Sequence, residues 1–563
     1  MSTPSHVRRD FLRLAGAGLA GAALVAESQS AVLLAAPPAS GDFNVFTFGA
    51  SGDGKTLDTP AINRAIEAAA AAGGGTVVFP AGHYLSYSIH LKSRVTLDLR
   101  QGATIVAADP AVDGGSGYDL PEPNAWDMYQ DFGHSHFHNS LIWGEGLSDV
   151  AIVGLGGIHG KGLTRGPNAQ NPGIGNKSIS LKNCHNVLLR DVSMLHAGHF
   201  ALLATGVDNL TIDNVKVDTN RDGFDVDCCR NVRISNCFVN SPWDDGICLK
   251  ADHALGRAKQ TEFVTITNCY VSGCWEEGTM LDGTYKPFAP DARVPHTGRI
   301  KFGTESNGGF RNITVSNCVF EGCQGLALET VDGALLEDVT IANISMRDIT
   351  SAPLFMRLGA RMRGPDTAQV GTLRRVTISN LVCSNAVSSL GSIISGVPGH
   401  HIEDVKISHV HIQHRGGGSK EAAAFQIPEF VDSYPEPSMF LGTGRPSGRS
   451  VDGRWYPEGQ GPGRAGTGVT GAAAAANAMP SHGFYLRHVT GIQFDDVEIR
   501  TGQTDSRPVF VLDDVSDADF FRVRAPLAEG VPTFSFRDAR DVSVRMCKGV
   551  PDTQLKSAKG QTL

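Results

Sequence analysis

The sequence predicts an all-β solenoid of stacked parallel strands, and three observations lead there. Short segments alternating apolar and polar residues, usually with Asn or Asp next to last, recur at 187–192, 210–215, 232–237, 264–269, 313–318, 339–344, 376–381 and 405–410. Their first spacings, 23 and 22 residues and then 32, 49 and 26, fit a base period of 22 to 26 with insertions. The 66 glycines among 563 residues suit a fold made of turns, and the 41% hydrophobic content suffices for one continuous core. Residues one period apart then stack on adjacent rungs, about 4.8 Å apart in backbone.

The elements follow in chain order. Arg8-Arg9-Asp10-Phe11-Leu12-Arg13 precedes an apolar Ala/Gly-rich run. This pattern resembles a bacterial twin-arginine (Tat) export signal, which assigns 1–40 to a leader and the protein to the periplasm or the exterior. One catalytic domain is expected over 41–563, its N-terminal cap at about 41–110. No later apolar run reaches the roughly 20 residues needed to span a bilayer. Residues 44–48 read as a strand. The next eight, GASGDGKT at 49–56, formally match a phosphate-binding loop, but that loop needs a helix beginning at its Gly-Lys. Here the helix starts later, with Thr59 as N-cap, Pro60 at N1 and a run over 61–72 ending at Gly73. It is expected to cap the open end of the solenoid, which would otherwise expose strand edges and core.

Insertions lengthen the loops at 251–262, 284–296 and 359–372, and the largest runs from 415 to 482. Within it, 425–440 is expected to be ordered and 442–478 largely mobile. Such loops would wall one end of a groove and favour action on chain ends. The eleven cysteines form no disulfide framework; Cys184, Cys237, Cys269 and Cys318 each follow an Asn in or beside the repeat and are expected as stacked core thiols. A net charge of −9 without a basic stripe argues against a nucleic-acid partner. No cofactor or metal is expected, and a monomer is.

The chemistry concentrates in two acidic clusters, Asn220-Arg221-Asp222 and Asp244-Asp245. Asp222 and Asp244 lie 22 residues apart, one coil, with a repeat strand between them. They would face one groove from neighbouring coils. His134, His136 and His138 alternate in a segment read as extended, so they share a face; contacts to sugar hydroxyls suit them better than a metal.

The opening at 43–66, the segment GGTVVFPAGHYLSYSIHLKSRVTLDLRQGATI and the acidic clusters together resemble glycoside hydrolase family 28, the polygalacturonase group. So does GTESNGG at 303–309, which is similar to a Gly-Ser-Glu segment of exo-acting members. The resemblance covers roughly 45–550. It implies a right-handed parallel β-helix and an inverting hydrolase of galacturonan or rhamnogalacturonan-type substrates. Inversion needs one protonated carboxyl for the leaving oxygen and a carboxylate to activate water, about 6.5–9.5 Å apart. Three crowded carboxylates would push one pKa upward. The resemblance implies Asp244 as the acid, with Asp222 and Asp245 holding the water.

This chain also departs from the family pattern. Gly298 stands where a family histidine belongs; either His296, two residues upstream on the same strand face, substitutes for it or the role is vacant. The family's later Arg-Ile-Lys is missing from the coil holding Ala327 and Glu329, while Arg299-Ile300-Lys301 lies one coil earlier. Those two cations would either grip an anionic sugar or form a solvated strand face. Glu305, Glu329, Lys250 and His199 complete the polar lining, with Trp243 and Tyr285 as platforms for sugar rings. Two other readings stay open: a pectate-lyase-type enzyme and a non-catalytic carbohydrate-binding β-helix.

Overall fold

The structure, a computed structural model, describes residues 41–131, 133–166, 171–365, 369–442, 478–526 and 528–563. The expected leader at 1–40 and nearly all of the 442–478 tract lie outside the described residues. The remainder is a right-handed parallel β-helix, and the repeat segments read from sequence stack in register. Val187 pairs with Leu210, Leu210 with Val232, Val232 with Val264, and Val264 with Ile313. The column continues through Val339, Val376 and Val405. All eight are buried.

The Asn positions explain the shape of each coil. Asn214, Asn236, Asn268, Asn317, Asn343 and Asn380 all adopt left-handed backbone with φ between 52° and 58°. Asn tolerates that region better than other side-chain-bearing residues, so it marks where the strand turns a corner. The side chains also form ladders from coil to coil: Asn343 Nδ2 donates to Asn317 Oδ1 at 2.9 Å, and Asn380 Nδ2 to Asn343 Oδ1 at 3.0 Å. Beside them the thiols of Cys184, Cys237, Cys269 and Cys318 are buried and unbridged, small apolar fillers of the core.

Both ends are closed. The helix Thr59–Ala71 buries Ala61, Ile62, Ala65, Ile66 and Ala69 against the first coils. Its N-cap is Asp58 rather than Thr59. The Asp58 carboxylate instead accepts the amides of Ser51 and Gly52 at 2.7 and 3.0 Å, and Asp53 accepts those of Lys55 and Thr56. The loop amides that a phosphate would need are therefore spent on two aspartates. The expected strand at 44–48 is also corrected. Asp42–Asn44 is extended, but Asn44 Oδ1 accepts the Phe46 amide and diverts Val45–Phe48 into a 3-10 turn. At the other end Thr553–Ala558 and Gln561–Thr562 pair antiparallel with Phe534–Arg545, a closing element the sequence reading did not anticipate. No helix of the described residues is long and apolar enough to cross a membrane.

Candidate active site

One column of strands carries the acidic clusters. Asp222–Asp227, Ile247–Ala251, Ile300–Ser306 and Leu326–Thr330 are consecutive neighbours in it. Asp222 opens the first of these strands, and the turn before the second presents Asp244 and Asp245. Backbone hydrogen bonds lock the two coils: Gly223 N–H donates to Asp245 O, and Trp243 N–H to Asn220 O. Gly298 then passes so close to Ser272 O that a Cβ there would sit 2.1 Å away, and its N–H donates to the Asp244 carbonyl. Only glycine fits that crossing, and it fixes the backbone of the middle carboxylate.

The three carboxylates converge. Asp222, Asp244 and Asp245 each offer an oxygen, and these oxygens lie within 4.8 Å of one another. Their electrostatic settings differ. Asp245 accepts Arg299 Nε at 2.9 Å on one oxygen and Lys301 Nζ at 3.0 Å on the other. Burial opposes its ionisation, yet these two cations hold it at about 2. Asp222 is buried, and burial together with the Asp244 and Asp225 carboxylates pushes it well above the usual range. Its neighbour His199, Nε2 3.7 Å away, is kept neutral by burial and by the charge of Arg221. Asp244 is the most accessible of the three, its side chain 27% exposed. Burial raises it too, against the pull of the Arg221 guanidinium that it accepts.

The other predicted residues fall into distinct places. Arg299 and Lys301 do project to one side as expected, but they meet a protein carboxylate there. Lys250 and Glu305 are buried and pair at 3.1 Å; Glu305 also takes Arg363 Nη2 at 3.0 Å. Glu329 is fully buried with no hydrogen bond to either carboxylate oxygen, and its nearest cation, Arg299 Nη2, is 3.9 Å away. Burial pushes it up to about 7. Trp243 and Tyr285 are exposed. His296 is not on a strand: it has φ 52°, precedes the strand Ile300–Ser306, and turns Nδ1 to Gly273 O at 2.8 Å. The strand-face argument for it therefore fails.

The histidines at 134, 136 and 138 do not share a face, because their segment is a turn and not extended. His134 Nε2 meets Asp225 at 2.9 Å, His136 meets Glu122 and Asp127, and His138 meets Glu145 while stacking on Trp143. His134 thus reaches the acidic strand from a loop 91 residues away.

Several contributors were missed. Arg221 was noticed only as part of its triplet. Arg361 pairs with Asp332, and Arg363 pairs with both Asp131 and Glu305. Tyr434, from the 415–482 insertion, lies 5.5 Å beneath the Arg361 guanidinium. The insertion packs over the same strand column, with Phe430, Phe440 and Met439 against Ala327, Phe355 and Tyr485. A second wall comes from the loop after Tyr270–Ser272. Asp218 anchors it by accepting the amides of Met280 and Leu281, and Glu277 ties it to Arg165 and His196.

As a metal site the three carboxylates are poorly placed: Asp245 already receives two cations and Asp244 one. As proton donors and acceptors they suit hydrolysis, since one is firmly ionised and the others are driven toward the protonated form.

Comparison with known proteins agrees with this picture at the level of fold. A family described as "Rhamnogalacturonase A/epimerase, pectate lyase-like" matches residues 43–115, and "Right handed beta helix region" matches 177–352. The chain is 32% identical over 169 residues to the exo-poly-alpha-D-galacturonosidase of Dickeya chrysanthemi, covering 30% of this chain and 27% of that protein. The match thus spans about a quarter of that relative's length. It is 23% identical over 392 residues to a probable polygalacturonase of Vitis vinifera, covering 65% of this chain and 73% of the relative. The family 28 exopolygalacturonase of Yersinia enterocolitica superposes with a TM-score of 0.52 at 17% identity, over 91% of this chain and 79% of that one. Its polygalacturonase relatives share the parallel β-helix.

Proposed function

We propose that this protein is an inverting glycoside hydrolase that acts on pectic polysaccharides or oligosaccharides, from chain ends. The observation that carries the reading is the cluster of Asp222, Asp244 and Asp245 from adjacent coils, with one member ionised by two cations and its neighbours raised. Its similarity to galacturonan-cleaving proteins supports the substrate class.

In this reading Asp244, the accessible member, donates a proton to the leaving glycosidic oxygen. Asp245 takes the proton of the attacking water, and Asp222 positions that water. The nearest oxygens of the three carboxylates lie within 4.8 Å, closer than the about 6.5–9.5 Å expected of an inverting pair, so inversion in this reading rests on Asp245 being committed on both oxygens to Arg299 and Lys301, which disfavours it as a nucleophile. Trp243 and Tyr285 offer apolar faces to the sugar rings. The roles are tested together by reducing-sugar release from a panel of pectic oligosaccharides. Asp244→Asn should lose at least about 100-fold in kcat, the usual contribution of general acid catalysis. Asp222→Asn and Asp245→Asn should also be severely impaired, and all three should keep the wild-type circular dichroism. Wild-type activity in Asp244→Asn would overturn the mechanism. An ultraviolet-absorbing unsaturated product would mark a lyase, and binding without turnover a carbohydrate-binding protein.

The leader makes the protein an exported one in the same reading. Replacing Arg8 and Arg9 with Lys should leave precursor in the cytoplasm. Unchanged delivery in cells lacking the twin-arginine pore would show another route.

A further inference from the structure

We propose that His401, His488 and Asp514 form a binding site for one divalent transition-metal ion of the zinc class, fastening the insertion wall to the coils. The three residues occupy one register position on three successive coils, since Ile402 pairs with Val489 and Val489 with Val515. Their separations in sequence, 26 residues from His488 to Asp514 and 113 from His401, hide them from any motif search.

The donor atoms already converge. His401 Nε2 lies 2.9 Å and His488 Nδ1 2.7 Å from the same oxygen, Asp514 Oδ2. The far nitrogens are held as metal-bound imidazoles usually are, by a carboxylate or hydroxyl behind each ring. His488 Nε2 meets Glu429 Oε2 at 2.9 Å, and His401 Nδ1 meets Thr490 Oγ1 at 2.6 Å. Glu429 is itself fixed by Arg487 at 2.7 Å. His488 therefore faces a carboxylate at each ring nitrogen. An imidazolium would satisfy both carboxylates, and so would a neutral ring whose Nδ1 binds a cation shared with Asp514. A metal ion there leaves Nε2–H to donate to Glu429.

Two imidazoles and one carboxylate with solvent access make a three-ligand set with an open fourth position, the composition zinc accepts. Asp514 and His401 are partly exposed, so water can complete the shell. Two nitrogen donors disfavour calcium or magnesium. Arg540, 3.6 Å from Asp514 Oδ1, touches the oxygen that does not face the histidines. The buried group Asp227, Cys228 and Asp252 is a weaker candidate, because all three are sealed from solvent.

The site has a structural consequence. Glu429 belongs to the insertion, five residues before Tyr434, which lies beneath the Arg361 guanidinium. An ion that orders His488 also orders Glu429 and with it this wall.

The test titrates the untagged full chain with Co2+ alone. One ion per chain is expected, with visible d–d bands typical of nitrogen and oxygen ligands, no thiolate charge-transfer band, and a raised Tm. Asp514→Asn and the double variant His401→Ala/His488→Ala should lose this ion, and Glu429→Gln should weaken it by about tenfold, as loss of a second-shell partner does. Absence of binding to the wild type, thiolate bands, or wild-type binding by a folded Asp514→Asn would each overturn the proposal. If the double variant fails to fold, Asp514→Asn alone decides, because Asn keeps the shape and one acceptor.

Discussion

At the scale of single residues, the acidic site is governed by which carboxylates have a cation in contact. Asp245 has two and is ionised; Glu329, two coils on, has none within hydrogen-bonding distance and is fully buried. Burial raises Glu329 from the ordinary 4.5 to about 7. The folded protein therefore holds a proton that the unfolded chain releases above about pH 4.5. Stability from this group is complete below that pH and is lost as pH rises toward 7. A pKa unit corresponds to about 1.4 kcal/mol, so the loss is on the order of 3 kcal/mol. Glu329→Gln cannot ionise and should remove this slope. Denaturant unfolding of the two proteins at pH 5 and pH 8 should show the variant gaining relative to the wild type at the higher pH. Parallel behaviour at both pH values would mean that Glu329 is ionised throughout.

At the scale of elements, the coils were legible and the walls were not. Each repeat strand announces itself locally, through alternation and through an Asn at the left-handed corner, so Val232 and Val264 could be aligned without knowing the loop between them. The paired aspartates were legible for the same reason: Asp222 and Asp244 are one coil apart. Tyr434, Asp131 and Arg363 follow no period. Arg363 meets Asp131 across 232 residues, and nothing in either loop signals the other. Strand periodicity does not locate His296 or the 134–138 histidines, because their segments turn. The walls nevertheless rest on definable anchors. Asp218 is buried and accepts the amides of Met280 and Leu281 at 2.8 and 3.2 Å, with Asn240 donating to its other oxygen. Asp218→Ala should strand those amides at a cost on the order of 2 kcal/mol. We expect a lower Tm and a raised KM with kcat nearly unchanged, since the loop shapes the groove and does no chemistry. A fall in kcat without a change in KM would place this loop in the reaction itself.

At the scale of the whole molecule, the solenoid stacks the acidic coils in one strand column and the insertions pack over that column. The insertion carrying Phe425 to Leu441 lies over the strands that follow the acidic coils, packing Phe440 on Phe355 and Tyr485. Under the proposed function, this insertion would close one end of the substrate face and so favour release from a chain end over mid-chain cutting. The cations named around the site are also committed: Arg221 to Asp244, Arg299 and Lys301 to Asp245, Arg361 to Asp332, and Arg363 to Asp131 and Glu305. Ala327 and Glu329 stand on the coil where a uronate-binding pair would be useful, and Glu329 in its ionised form would repel a sugar carboxylate. Leaving such a charge buried without a partner costs several kcal/mol. Activity should therefore be weak on unmodified polygalacturonan and higher on short rhamnogalacturonan-type oligomers, in which neutral and acidic sugars alternate. Chromatography of early products should show small fragments leaving from one end, and proton NMR of the first product should show the anomer opposite to that of the substrate. Rapid mid-chain depolymerisation of polygalacturonan would sink both the pocket argument and the end-wall argument, because it requires an open groove and a free cation for each uronate.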